Sequence, residues 1–394
     1  MSYGVREEKI TNFILFVSCF CITISHLLVY SLSIFRWIGI GLITLEIIRK
    51  TSHLGFEKKA TTGTIIVFTV MSLCTILCET TFKQKAVSEF YFAVLCIWLF
   101  YSERFIQKKD NFLFMSLGGG SACIVGLILT RSYIGAQLRG VYSSRIRVYG
   151  GFSHPNILGA MLATAFLEGL IYLYLLKENE IKLATKVALI TYEIILAGLV
   201  ISTNSRTAMI MLTGAVLVLL SIKLEKFHVA FRLIFYSIVV GLALYVINNF
   251  VVDYMLNDAA FGGRIRGLAS NDYNIVQEIV GHGMTGSEDT IGAHGKEIAW
   301  ASIYFKTGGV GVVTYICMIL GLITKALDLK NIRQKKAAWA CLVFMLLSTL
   351  GDPYIINIAN SASLFMWAGT SAMCSKSFNM NSEKVRDFRR GEEF

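Results

Sequence analysis

The chain has 394 residues, of which 55% are apolar and 16% charged, and a formal net charge of +11. Soluble globular domains carry about 25% charged residues, so this composition excludes a soluble enzyme, a nucleic-acid-binding domain and a secreted disulfide scaffold. The apolar residues cluster in runs of about 20, the length that a helix needs to cross a bilayer. We therefore predict an all-α, polytopic membrane bundle that forms a single integral membrane domain over residues 1–394.

About twelve membrane spans, 14–26 residues long, are predicted from these apolar runs. The charged residues lie in the short segments between them. In chain order the predicted spans are Thr11–Tyr30, Leu32–Ile48, Ala60–Cys78, Ser88–Ser102, Asn111–Thr130, Pro155–Leu176, Val187–Thr203, Thr207–Ile222, Leu233–Val252, Ala299–Thr324, Ala337–Leu350 and Asn357–Ser375.

The distribution of lysine and arginine predicts the orientation of these spans. If the N-terminus is cytoplasmic, about two thirds of the cations fall on the cytoplasmic side, as the positive-inside rule requires. Both termini are then cytoplasmic. Most cations on the exterior side are arginines, and a guanidinium group suits a fixed, forked grip on phosphate or carboxylate. Lipid headgroups and loop carboxylates are the alternative partners for single arginines.

Two exterior loops are predicted to carry this charge. The first, between the fifth and sixth spans, contains Arg131, Arg139, Arg145 and Arg147 and no acidic residue. The second, residues 253–298, is about 45 residues long, which is unusual for a connector without a function. We expect a short helix within it near Asn274–Val280.

Three acidic residues are predicted at membrane depth, Glu46, Glu168 and Glu193, and Asp352 is predicted near the exterior end of its span. An ionisable residue inside a bilayer is a functional hypothesis by default. Glu168 on the sixth span and Glu193 on the seventh could relay protons, or each could hydrogen-bond a neighbouring hydroxyl group within the bundle. The sequence favours the second alternative.

Three motifs follow one another on the predicted exterior side. The first is Arg147-Val-Tyr-Gly-Gly-Phe-Ser-His154-Pro155-Asn156-Ile-Leu-Gly159, and the second is Ser202-Thr-Asn-Ser205-Arg206 at a tight turn. The third comprises Gly281-His282-Gly283, then His294, then Gly308-Gly309-Val-Gly311. In order, spacing and predicted side, these motifs resemble those of the O-antigen ligase and O-antigen polymerase superfamily. Gly295 follows His294 where that superfamily usually has Asn.

The resemblance implies a GT-C-like bundle of about twelve spans, with the long exterior loop carrying short helices. It implies a bacterial plasma-membrane glycosyltransferase whose active site faces the exterior. Such an enzyme polymerises polyprenyl-pyrophosphate-linked oligosaccharide repeat units into a capsule, exopolysaccharide or O-antigen type of surface polysaccharide. A ligase that transfers a finished glycan to another acceptor is the alternative, and a transporter or flippase is less favoured because the cations concentrate on one face.

The resemblance also implies roles for individual residues. The departing pyrophosphate gains charge in the transition state, and fixed guanidinium groups stabilise that charge. Arg206 is the expected catalytic arginine and His294 the expected base. Neither a metal nor a cofactor is expected. The implied partners are the lipid-linked oligosaccharide and membrane lipid. A flippase and a chain-length regulator are further candidate partners. The expected substrate-binding residues are Arg145, Arg147, Arg264, His154, Asn156 and His282.

Overall fold

The structure is a computed structural model that describes residues 3–28, 30–54, 58–131, 148–152, 154–177, 180–224, 275–283, 299–349 and 361–378. All regular elements in these ranges are helical. They are α1 (Tyr3–Ile24), α2 (Ser33–Leu54), α3 (Lys58–Cys78), α4 (Phe82–Tyr101), a 3₁₀ turn (Ser102–Arg104), α5 (Lys109–Leu129), α6 (Pro155–Leu175), α7 (Leu183–Ser202), α8 (Arg206–Leu224), α9 (Ile275–Val280), α10 (Ala299–Leu327), α11 (Ile332–Ser348) and α12 (Ser361–Met373).

Six of the described helices are long and apolar enough to cross a membrane: α3, α4, α5, α6, α7 and α10. Large apolar side chains cover the outward faces of two of them. Leu77 on α3 is 63% exposed, and Ile194 on α7 is 66% exposed. Soluble proteins rarely leave such continuous apolar faces in water. The chain is therefore a multi-pass membrane protein, and the count of about twelve spans stays a prediction.

The centre of the bundle is built around α6 and α12. Every residue of α12 is buried, as are most residues of α6. Around this centre α5 packs between α1 and α6, while α8 packs against α6 and α11. Small residues allow the closest approaches, since a methyl group on Gly118 of α5 would lie 2.4 Å from the carbonyl oxygen of Phe16 on α1. Such close contacts between small residues are the usual basis of helix packing in membranes.

The helices present two chemically different ends. Ion pairs between two described residues all lie at one end, which we call the basic end; they include Arg49–Glu7, Lys108–Glu8, Lys109–Glu180 and Lys325–Glu103. The opposite end holds residues 148–152, 154, 203–205 and 281–283, and we call it the motif end. The segregation of ion pairs agrees with the charge asymmetry from which the two membrane sides were predicted.

Each long helix overlaps one predicted span, but several ends differ. Helix α4 begins at Phe82, six residues before the predicted start, because Thr81 and Gln84 form a reciprocal capping box. Helix α1 ends at Ile24 rather than Tyr30, because Leu27 and Phe152 form a bridge that turns the chain away from the helix. Helix α9 lies where a short helix was expected. Four predicted features fall outside the described residues: most of the first exterior loop, the span Leu233–Val252, most of the long loop, and the start of the last span.

An ion-pair network at the basic end predicts loss of stability in acid. Arg49 donates a hydrogen bond of 2.9 Å to Glu7, and this bond lowers the pKa of Glu7 below its ordinary value of 4.5. A carboxyl group whose pKa is lowered by folding stabilises the folded protein when the pH is above the pKa of the unfolded state. This stabilisation is lost as the pH falls below about 4.5. Because the pair is partly exposed, we expect it to contribute at most about 1 kcal/mol to the free energy of unfolding. Thermal unfolding in detergent should show a smaller acid-induced loss for Glu7→Gln than for the wild type. Equal losses would contradict this account.

Candidate functional site

The first two motifs meet at the motif end. Helix α6 begins at Pro155, directly after the described part of the first motif, and helix α8 begins at Arg206 of the second. Gly159, one turn into α6, lies against the turn between α7 and α8. A methyl group at this position would be 2.7 Å from Cβ of Ser205 and 2.9 Å from Oγ1 of Thr203. The final glycine of the first motif thus allows the second motif to contact α6.

Backbone hydrogen bonds fix this junction from the other side. The amide of Val148 donates to the carbonyl of Ser202 at 3.1 Å, and the amide of Leu28 donates to the carbonyl of Gly151 at 2.9 Å. The hydroxyl of Thr130 also donates to the carbonyl of Gly150. Residues 148–152 are therefore tied to the ends of α1, α5 and α7, which fixes the described part of the first motif against the end of α7.

His154 caps helix α6. Its Nδ1 atom accepts a hydrogen bond of 3.2 Å from the amide of Asn156, which satisfies one of the free donors at the helix start. Pro155 occupies the first helical position, where its fixed backbone angle suits a helix start. His154 is exposed and Asn156 half-buried. The two predicted substrate-binding residues therefore share a helix start at the motif end.

Arg206 is half-buried and is the first residue of α8. Ser205 precedes it, is buried, and accepts a hydrogen bond from the amide of Ala208. A cation at a helix N-terminus opposes the helix dipole, an effect of about 0.3–1 kcal/mol at an exposed site. Arg206 therefore does not stabilise its own helix. The guanidinium group and the dipole together favour an anion at this position.

Gly159→Ala tests whether the contact between the two motifs matters for activity. The added methyl group has to displace the turn that carries Arg206, and a displacement of about 1 Å costs on the order of 10²-fold in rate when it moves a catalytic group. We expect that loss of product at normal protein abundance, measured in membranes by glycan analysis. Gly198→Ala on α7 is the matched control, because nothing lies within 4 Å of its added methyl group. Wild-type product from Gly159→Ala would show that the contact is dispensable.

The third motif forms a turn that packs against a break in helix α10. Gly308, inside that helix, has φ of 60° and ψ of −165°, and Gly281 in the turn has φ of 80°. Added methyl groups would lie 2.4 Å from the backbone of Ile279 at Gly308 and 2.5 Å from that of Lys306 at Gly281. Only glycine combines these backbone angles with such a close approach. Gly281 and Gly308 are therefore required for the packing of the turn on α10.

His282 lies in this turn and is held by Phe305. The two rings stack at 4.3 Å between centroids with an interplanar angle of 15°. The amide of His282 donates to the carbonyl of Phe305 at 2.8 Å, and the ring Nδ1 lies 3.3 Å from the same oxygen. These contacts hold the imidazole against α10. Helix α9, which leads into the turn, packs mainly on α10 and α3, whereas the first two motifs lie between α6 and α8.

Glu79 is a residue at the motif end that the sequence analysis missed. It follows helix α3, is 5% exposed, and accepts a hydrogen bond of 3.0 Å from the hydroxyl of Ser88. A methyl group on Gly283 would lie 2.6 Å from its carboxyl carbon. The carboxyl group therefore lies directly beside the turn that carries His282. No motif marks Glu79, because it is isolated in the sequence and far along the chain from the third motif.

The sequence matches no known family model, and no curated protein is significantly similar to it. The resemblance to the O-antigen ligase and polymerase superfamily thus depends on the three motifs and their placement.

Four predicted site residues lie outside the described ranges: Arg145, Arg147, Arg264 and His294. The first two directly precede the described segment that begins at Val148. Within the described ranges, no three His, Cys, Asp or Glu side chains group closely enough to hold a metal ion.

Proposed function

We propose that the protein is a membrane glycosyltransferase that polymerises polyprenyl-pyrophosphate-linked oligosaccharide repeat units. In this proposal the motif end faces the exterior of a bacterial plasma membrane, the basic end faces the cytoplasm, and about twelve spans form a GT-C-like bundle. The observation that carries the proposal is the contact between Gly159 and the Ser205-Arg206 turn. Two motifs that are distant in the sequence meet at the motif end, opposite the ion pairs of the basic end.

The proposed reaction breaks the bond between the anomeric carbon of the donor glycan and its pyrophosphate. An acceptor hydroxyl oxygen attacks that carbon, the pyrophosphate leaves with the bonding electrons, and the hydroxyl proton passes to a base. Attack opposite the leaving group inverts the anomeric carbon. The pyrophosphate linkage supplies the driving force, so the proposal requires no ATP.

Arg206 is assigned the role of stabilising the pyrophosphate leaving group. Negative charge grows on the pyrophosphate as the bond breaks, and a preorganised cation stabilises the transition state more than the ground state. The start of α8 adds the positive end of a helix dipole at the same place. Arg145, Arg147 and Arg264 are assigned to the donor phosphates. His154 and Asn156 are assigned to substrate contacts at the start of α6.

His294 is assigned as the base that takes the proton of the acceptor hydroxyl group. Histidine suits this role because its ordinary pKa lies near neutral pH. His282 was expected to bind substrate. Its stacking on Phe305 supports instead a role in holding the turn against α10.

Deletion of the gene in its host tests the proposal and separates it from its alternatives. Loss of a polymerase leaves single repeat units on the carrier lipid and on the cell surface. Loss of a ligase leaves long chains on the carrier lipid. Loss of a flippase leaves single units on the cytoplasmic leaflet, out of reach of externally added glycosidases. Unchanged lipid-linked glycans would refute a function in glycan assembly.

A further inference from the structure

Two carboxyl groups lie in the middle of the bundle, apart from the motif end. Glu168 on α6 is 5% exposed, and Glu193 on α7 is 6% exposed. Oε1 of Glu168 and Oε2 of Glu193 have no hydrogen-bond partner among the described residues. The other oxygen of Glu193 lies 3.5 Å from the hydroxyl of Ser116. Buried polar atoms are satisfied in most native proteins, so these two oxygens require an explanation.

Glu46 shows how this protein neutralises a buried carboxylate elsewhere. It is 2% exposed, accepts a hydrogen bond of 2.8 Å from Arg49 and another of 2.8 Å from Thr11. Glu168 has no such arrangement. The titratable groups that face it among the described residues are Glu193, Tyr192, Cys19 and Cys341. None of these carries a positive charge.

Glu168 lines two internal cavities, each with room for about one water molecule. Thr164, one turn before it on α6, lines both. One cavity extends to Thr23 and Ser361, and the other reaches Thr370 and Cys341. The hydroxyl of Thr23 donates to that of Ser361 at 3.0 Å, and Ser361 begins α12 at the motif end. Glu168 therefore borders two small cavities with mostly apolar linings, and the hydroxyl-bearing residues Thr23 and Ser361 line the one nearer the motif end.

We propose that Glu168 is an internal proton-binding site that exchanges its proton with the motif end through water and the hydroxyl groups of Thr164, Thr23 and Ser361. An isolated carboxylate at this depth costs far more than a neutral carboxylic acid, because no cation in the described part of the chain compensates its charge. Glu193 adds repulsion between like charges, which further favours a protonated acid. A bound divalent cation requires six or more oxygen ligands or ordered waters, and these cavities are too small for them.

Infrared spectroscopy of the purified full-length protein, in a maltoside detergent that lacks carbonyl groups, tests the proposal. The probe is the carbonyl stretch of a protonated carboxyl group at neutral pH. We expect Glu168→Gln to remove one such band and D₂O to shift it to lower frequency. Glu46→Gln is the matched control. It should leave the band in place, because Glu46 already accepts hydrogen bonds from Arg49 and Thr11 at the basic end.

The exchange path has its own test. Thr23→Val combined with Ser361→Ala should slow the D₂O shift of the Glu168 band at least tenfold without removing the band. An unchanged exchange rate would refute the path to the motif end.

Three other results would overturn the site. They are the absence of any band difference between wild type and Glu168→Gln, loss of the band only in Glu193→Gln, and disappearance of the band on addition of sodium or magnesium. If Glu168→Gln does not fold, the infrared spectrum of Glu193→Gln tests the site in its place. Removal of the neighbouring acid must change the frequency of the Glu168 band, and an unchanged frequency would refute the assignment. Each result is independent of glycan transfer, so the proposed function can fail while this site stands.

Discussion

Arg206→Lys is expected to abolish nearly all product while the protein accumulates at its normal level. Lysine keeps the positive charge at the start of α8 but lacks the planar fork that holds two oxygens of a pyrophosphate. A role that needs charge alone would tolerate the change. Lipid-linked and surface glycans in a deletion strain that carries the variant provide the measurement, with membrane abundance determined by immunoblot.

Arg131→Lys is the matched control for this experiment. Arg131 is also at the motif end, is exposed, and lies two residues after the end of α5, but it belongs to none of the three motifs. The same substitution there should leave product unchanged. Equal activity of the two variants would remove Arg206 from the mechanism, and equal loss would indicate that the motif end needs arginine in general.

His294→Ala is expected to lower turnover by about 10²–10⁴-fold with little change in donor binding, the usual contribution of a positioned base. The wild-type rate should also fall below about pH 6, because a protonated imidazole cannot accept the hydroxyl proton. A purified assay with lipid-linked donor measures both effects. Full turnover in His294→Ala would refute the assignment.

His282→Phe separates a structural histidine from a catalytic one. Phenylalanine preserves a ring that can stack on Phe305 but has no nitrogen that can accept a proton. We expect His282→Phe to keep most of the activity and His282→Ala to lose more, because alanine removes the packing on Phe305. Both variants should be more active than His294→Ala. If His282→Phe is as inactive as His294→Ala, the base is His282.

Helix existence could be predicted from the sequence, but helix ends could not be predicted as well. Long apolar runs are sufficient to locate a helix in a bilayer, because the backbone has no other way to satisfy its polar groups there. The ends depend on local contacts that hydropathy does not detect. Thr81 and Gln84 start α4 early enough to include Lys83 and Lys85 in its first turns.

The candidate site was predictable only in part. The motifs located Arg206, His154 and Asn156 at the same end of the bundle. The sequence gives no indication that Gly159 would face Ser205, because helix rotation about its axis is set by packing rather than by motif spacing. Glu79 was missed for a related reason. Its position beside Gly283 arises from the packing of α9 and α10 on α3.

The break in α10 has a consequence for membrane insertion during synthesis. The carbonyls of Phe305 and Lys306, next to the break at Gly308, accept hydrogen bonds from the amides of His282 and Gly283. Those donors leave the ribosome before α10 does. An unsatisfied carbonyl within lipid is costly, so the turn has to fold back as α10 enters the bilayer. In the proposed topology, we therefore expect the translocation of the preceding loop and the insertion of this helix to be coupled.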